Sequence, residues 1–272
     1  SRLTVNDSRK TETYSRDYQL TNTFSFLNAL RKDSHSPRQL TVTMATDETT
    51  PSLQSTQEVD KVLLRRDITY QESQQVYKQW ADNGTYDKMI DDNPKEYNGL
   101  IMFAEGMAGL FSDVSEKRVL DLGAGTGLSG IKLRSVGYVN IDALEPLESF
   151  VETCKKKGIY RSIIQSPIGG EKPLDVPNDT YDAVCTTGTF GPGHIPCSAI
   201  PEIVRILKPG GCFLNCMRAE YLLDVPEYKD RLVPLLEELE GQGLIMKEEW
   251  TVYPNHFTGK DGIRMVYRKL QR

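Results

Sequence analysis

Metal ligands are scarce in this sequence, and those present are poorly spaced for a site. There are three histidines and five cysteines, the latter at 154, 185, 197, 212 and 216. No Cys-x-x-Cys pair occurs, and the spacings suit no zinc site. His194 and Cys197 lie three apart, but a loop histidine beside a structural thiol is the plainer reading, so no metal is expected. An odd cysteine count without a pairing framework points to reduced thiols. No apolar run approaches the roughly 18–20 residues needed to cross a bilayer, and no charged-apolar-small leader opens the chain. Positive charge is not in excess either: 33 basic against 38 acidic side chains give a net charge of −5. A basic face for phosphate backbones is therefore not expected, and neither is a nucleic-acid partner. We expect a soluble monomer, cytoplasmic or also nuclear, with no membrane partner.

The chain, 272 residues long, changes texture twice. Residues 1–57 are rich in Ser, Thr, Asp and Gln and lack sustained periodicity, which predicts a disordered tail. Its acidic residues Asp7, Glu12, Asp17 and Asp33 argue against a mitochondrial leader. Met44 opens Met-Ala-Thr-Asp-Glu, and residues 1–43 are expected to lie upstream of the natural start or to be dispensable. Residues 58–114 read as an N-terminal helical cap. One helix carries Val59, Val62, Leu63, Val76, Tyr77 and Trp80 and breaks at Asp82-Asn83-Gly84. A second follows Pro94, with Leu100, Phe103, Met107 and Leu110 on its apolar side.

Residues 115–272 alternate strand and helix. Strands are predicted at Arg118–Leu122, Val139–Leu144, Ser162–Gln165, Tyr181–Thr186 and Cys212–Met217. Helices are predicted from about Thr126 to Ser135, at Glu148–Lys157 with Gly158 as its C′ residue, at Ser198–Leu207, and at Pro226–Glu240. Lys208-Pro209-Gly210-Gly211 reads as a turn, and no helix is evident over 166–180. Two last strands, Leu244–Tyr253 and Ile263–Arg268, are joined by too short a loop for a crossover and should pair antiparallel. The expected fold is α/β, a doubly wound Rossmann-like mixed sheet.

The first strand runs into Gly123-Ala124-Gly125-Thr126-Gly127 and then a helix, an arrangement that presents backbone amides to an anion. Dinucleotide enzymes use a similar turn. Two carboxylates sharpen the reading. Asp121 precedes the glycines, and Glu145-Pro146 ends the second strand, where a carboxylate suits ribose hydroxyls. A pyrophosphate beside Asp121 would meet like-charge repulsion. S-adenosyl-L-methionine carries an ammonium, a sulfonium and one carboxylate, the last of which is expected on the glycine amides. Asp121 has a second reading, in which it only ties down the turn.

These residues carry a resemblance. Val119–Gly130 (VLDLGAGTGLSG) is similar to the first motif of class I S-adenosylmethionine-dependent methyltransferases. Glu145 matches their ribose-binding acid, and Leu207–Gly211 resembles the turn before their fifth strand. Pro196-Cys197-Ser198-Ala199-Ile200-Pro201-Glu202 and Val76-Tyr77-Lys78-Gln79-Trp80-Ala81 with Tyr86-Asp87 resemble the Williams–Beuren syndrome region methyltransferase-like proteins. The resemblance spans about Gln57 to Arg272. It implies a seven-stranded sheet with the last strand antiparallel, and methyl transfer yielding S-adenosyl-L-homocysteine. It also implies that Tyr77, Trp80 and Tyr86 fold over the cofactor, although aromatics at helical spacing are as readily plain core.

Adenine is expected near Ser166, Pro167 and Ile168, and Thr187 is expected to face the methyl donor from the end of the fourth strand. His194, in Gly191-Pro192-Gly193-His194, is the only histidine expected near that edge and is the candidate general base. The cofactor-binding set is thus Asp121, Gly123, Ala124, Gly125, Gly127, Glu145, Pro146, Ser166, Ile168, Thr187, Tyr86 and Trp80. The acceptor, a small molecule or an exposed protein side chain, is not specified by these residues. A cofactor-binding module without catalysis and an NAD-dependent oxidoreductase are the competing readings.

Overall fold

Arg118–Leu122 forms β1, and its last four residues are buried, as a strand covered on both faces requires. It pairs in parallel with β2 (Asn140–Leu144) on one side and β4 (Tyr181–Thr187) on the other. The computed structural model describes residues 62–82, 87 and 97–271, all within a unit spanning Thr46–Arg272. The tail expected over 1–57 and the candidate Tyr86 lie outside the described residues. With β3 (Ser162–Ile164), β5 (Leu207–Arg218), β6 (Ile245–Phe257) and β7 (Lys260–Lys269), the sheet has the order β3-β2-β1-β4-β5-β7-β6. Only β7 runs against its neighbours, so the expected seven-stranded mixed sheet is what forms.

Around the sheet lie α1 (Tyr70–Asp82), α2 (Gly99–Gly109), α3 (Leu128–Ser135), α4 (Glu148–Lys157), α5 (Ala199–Ile206), the short α6 (Tyr221–Asp224) and α7 (Leu232–Gly241). Phe103 and Met107 of α2 join Val119, Leu214 and Val266 of the sheet in the core. The α4 helix matches its predicted bounds, and Gly158 caps it in the left-handed conformation at φ 63°. The stretch 166–180 has no helix, as expected. Instead it is strapped to α5, where Glu202 accepts from Leu174 N and Arg205 donates to Val176 O.

Several elements depart from expectation. The first predicted helix is interrupted over 64–69, and α1 begins only at Tyr70. Lys208–Gly211, expected as a turn before the fifth strand, lies within it. Leu207 pairs with Tyr181 and Cys212 with Ala183, so the four residues bulge within a continuous β5. The helix predicted from Pro226 begins only at Leu232, because Asp230 takes a left-handed φ of 56°. Buried Tyr228 instead donates to the carbonyls of Gly191 and Ile195, pinning the loop after β4. The last two strands are longer than predicted and turn at Thr258-Gly259. The longer hairpin carries His256 and Phe257 to the carboxyl end of β5, where Arg218 pairs with Gly262.

Candidate functional site

The glycine loop is fastened to the end of β2. Gly123 N and Ala124 N both donate to Leu144 O, at 2.8 and 3.2 Å. The next residue, Glu145, is 5% exposed; its Oε2 accepts from Gly125 N at 2.8 Å and its Oε1 from Leu147 N at 2.9 Å. Burial pushes its carboxyl up to about 7, against the pull of those two amides. An ionised carboxylate has about four acceptor sites, so two remain for other donors. Gly127 N donates within the loop to Ala124 O. Of the five loop amides, therefore, only that of Thr126 lacks such a bond among the described residues. Four of the five amides expected to meet a ligand carboxylate are thus engaged within the protein.

Loop and carboxylate open onto a cavity with about 910 Å³ of empty space, open solvent included. Gly123, Ala124, Gly125, Glu145, Pro146, Ile168, Thr187 and His194 line it, and Tyr77 reaches it from α1. No lysine or arginine does so among the described residues. Gly125 has φ 54°, and a Cβ built there meets no protein atom within 4 Å. The backbone there is open space for a bound group, as a nucleoside cofactor requires.

Four expected residues stand outside this lining. Asp121 lies behind the loop, where Ser129 Oγ and Tyr160 OH each donate to its Oδ2 at 2.6 Å. Burial raises its pKa to about 6. Its observed partners are thus hydroxyls rather than the turn amides. Gly127 precedes α3 and faces Cys154, Ile159 and Tyr160. Ser166 Oγ donates to Pro167 O, and Pro167 rather than Ser166 meets the cavity beside Ile168. Trp80 packs with Leu63, Ile68 and Val76. The helical turn places Tyr77 on both this cavity and a neighbouring one, and Trp80 on the neighbouring one alone. Asp87, beside the undescribed Tyr86, accepts from Thr126 Oγ1 and Lys157 Nζ, tying the N-terminal segment to the loop.

His194 is half-buried, not solvated. Its Nδ1 lies 2.6 Å from Pro192 O and its Nε2 2.8 Å from Tyr77 OH. A carbonyl only accepts, so Nδ1 carries the proton and Nε2 accepts from the tyrosine. Burial lowers the imidazole pKa, against the bond to Pro192, and keeps that neutral form. Ser73 Oγ donates to Gly193 O, so α1 and Tyr228 hold this loop from two directions.

Sequence reasoning missed Tyr97, which lines the cavity just before α2. Burial pushes its phenol up to about 12, while Thr187 pulls the other way. Its hydroxyl lies so close to Gly188 that a Cβ there would come within 2.8 Å. An aromatic placed directly before a helix, at Tyr97-Asn98-Gly99, was the available signal. His256 was missed as well, and His194 is therefore not the only histidine at this edge.

Fold and loop are similar to those of class I methyltransferase domains. Residues 119–211 match the family described as "Methyltransferase domain". The human protein called methyltransferase-like protein 27 is 33% identical over 126 residues, covering 46% of this chain and 50% of that one. The ubiquinone biosynthesis O-methyltransferase of Rickettsia canadensis is 27% identical over 54% of this chain and 62% of its own. The chain thus spans about half the length of the curated relatives it matches. Among solved structures, a chain of the Haloferax volcanii complex between the Trm112 methyltransferase activator and a methyltransferase aligns with TM-score 0.53. That likeness, at 17% identity over 72% of this chain and 98% of that chain, shows the fold.

Proposed function

We propose that this chain binds S-adenosyl-L-methionine and transfers its methyl group to a small molecule. The observation that carries the reading is the internal use of the loop amides beside a buried carboxylate, in a cavity lined by no basic side chain among the described residues. A pyrophosphate would find few free donors and no counter-charge there, which disfavours a dinucleotide. A nucleoside bearing a sulfonium fits. Glu145 has acceptor sites left for ribose hydroxyls, Pro167 and Ile168 offer apolar contact to a base, and Tyr77 and Phe150 offer aromatic faces that attract a cation.

When bound, the cofactor would supply an electrophilic methyl, its sulfur keeping the electron pair of the broken bond while the acceptor atom's lone pair forms the new one. Where that atom carries hydrogen, Tyr77 oxygen takes the proton as its own passes to His194 Nε2. The aromatic walls exclude water, and placement supplies much of the rate.

Calorimetric titration tests the donor: S-adenosylhomocysteine should bind and NAD should not, and the reverse would overturn the reading. A screen with labelled methyl donor tests transfer, whose absence for every acceptor would leave a binding module. Affinity should also depend on pH. Only the ionised Glu145 accepts two hydroxyls, so the dissociation constant should rise toward tenfold per unit below about pH 7. Stability of the ligand-free protein should show the opposite sign. A carboxyl raised in the folded state contributes stability present at low pH and lost as pH climbs through about 7. Glu145→Gln should flatten both curves, and Glu145→Ala should weaken binding by about 1–3 kcal/mol.

A further inference from the structure

A second cavity, with about 660 Å³ of empty space (open solvent included), adjoins the first and shares Tyr77, Tyr97, Gly188 and His194 with it. It lies over the carboxyl ends of β4 and β5 and is closed by the β6–β7 hairpin. Its walls are aromatic, with Trp80, Phe190, Tyr221 and Phe257. Besides the shared His194 and the tyrosines, two further polar side chains stand among them. His256 is buried, bonded through Nδ1 to Tyr253 OH, and burial with the nearby Arg218 charge lowers its pKa to about 3, so it is neutral. Arg218 is 4% exposed and is the one cation in this lining among the described residues.

A buried guanidinium requires compensation, and here it is incomplete. Arg218 Nη2 donates to Thr258 Oγ1 at 2.7 Å. Its ion partner Glu220 is 3.6 Å away and is shared with Arg66 at 3.0 Å and Lys260 at 3.2 Å. Asp224 serves Arg66. Three cations therefore face two carboxylates, leaving one positive charge in excess among the described residues. The rings of Phe257 and Tyr221, at 5.7 and 5.9 Å from the Arg218 carbon, hold the guanidinium plane in place.

We infer that the methyl acceptor is a small aromatic or flat apolar molecule bearing a carboxylate. Its anion pairs with Arg218, its body lies among the aromatic walls, and the atom to be methylated points past Gly188 toward the cofactor cavity. This assignment rests on the methyltransferase reading above. An arginine fork matches a carboxylate bidentately, and burial makes the pair selective against neutral analogues.

The test uses the full chain saturated with S-adenosylhomocysteine and titrated with 3-phenylpropionate and with its neutral amide. The acid should bind at least tenfold more tightly. Arg218→Gln should erase that difference while leaving S-adenosylhomocysteine affinity unchanged. Should that variant fail to fold, Leu64→Trp fills the half-buried rim of the same cavity and should block the acid without removing a buried charge. Equal binding of acid and amide, binding of neither, or undiminished acid binding by Leu64→Trp would overturn the inference. Loss of S-adenosylhomocysteine binding by the unsubstituted protein would instead overturn the donor assignment.

Discussion

Replacing Gly125 with asparagine should weaken S-adenosylhomocysteine binding by more than about 100-fold, or about 2.7 kcal/mol, while leaving the protein folded. Gly125 sits at φ 54°, a region asparagine enters more readily than other side chains. No protein atom lies within 4 Å of the added Cβ, so the fold need not move. The new side chain instead occupies space that the cofactor is proposed to fill. Thermal unfolding and calorimetry on the same sample separate the two effects. A folded variant that binds normally would remove the glycine loop from the site.

The largest stability effect is expected away from the cavity. Asp142 on β2 is 1% exposed and accepts from Arg118 Nε and Nη2, Arg161 Nε and Nη2, and Tyr181 OH. Burial alone would raise its pKa, but the two guanidinium groups outweigh it and hold the carboxyl below its usual range. Asp142→Asn removes the charge from this hub and leaves its donors poorly matched. Both arginines are partly exposed, with side-chain exposures of 38 and 48%, so water recovers part of the loss. A destabilisation of about 2–3 kcal/mol should remain, measurable by denaturant unfolding. The sign with pH is fixed by the depressed carboxyl. Its contribution is present above the unfolded pKa of about 3.9 and disappears as pH falls through the folded value. The substituted protein should therefore differ least from the original in strong acid. An unchanged midpoint at neutral pH would show that the hub contributes nothing.

What could be read in advance was what neighbours in sequence decide. β1 and α4 match their predicted bounds because each is an apolar pattern bracketed by charge or glycine. The placement of Glu145 at the end of β2 was legible for the same reason, but its bond to Gly125 N was not, since a helix and a strand separate them. The β5 bulge was not, because Lys208–Gly211 has the composition of a turn and only the ladder to Tyr181 and Ala183 shows that the strand resumes. Nor could the left-handed Asp230 be read, as aspartate is as common within helices' first turns as in turns proper. Arg218 and His256 were missed as site residues for a different reason. Each falls just beyond a predicted strand, and only the longer strands and the final hairpin bring it to the sheet end.

That hairpin divides the molecule's labour. In the proposed assignment the donor side is built from residues 123–168 with the strand end at Thr187, whereas much of the acceptor wall comes from residues 218–257. Substitutions in the hairpin should then retune what is accepted without disturbing what is given. The loop would be a fixed socket and the hairpin an exchangeable lens.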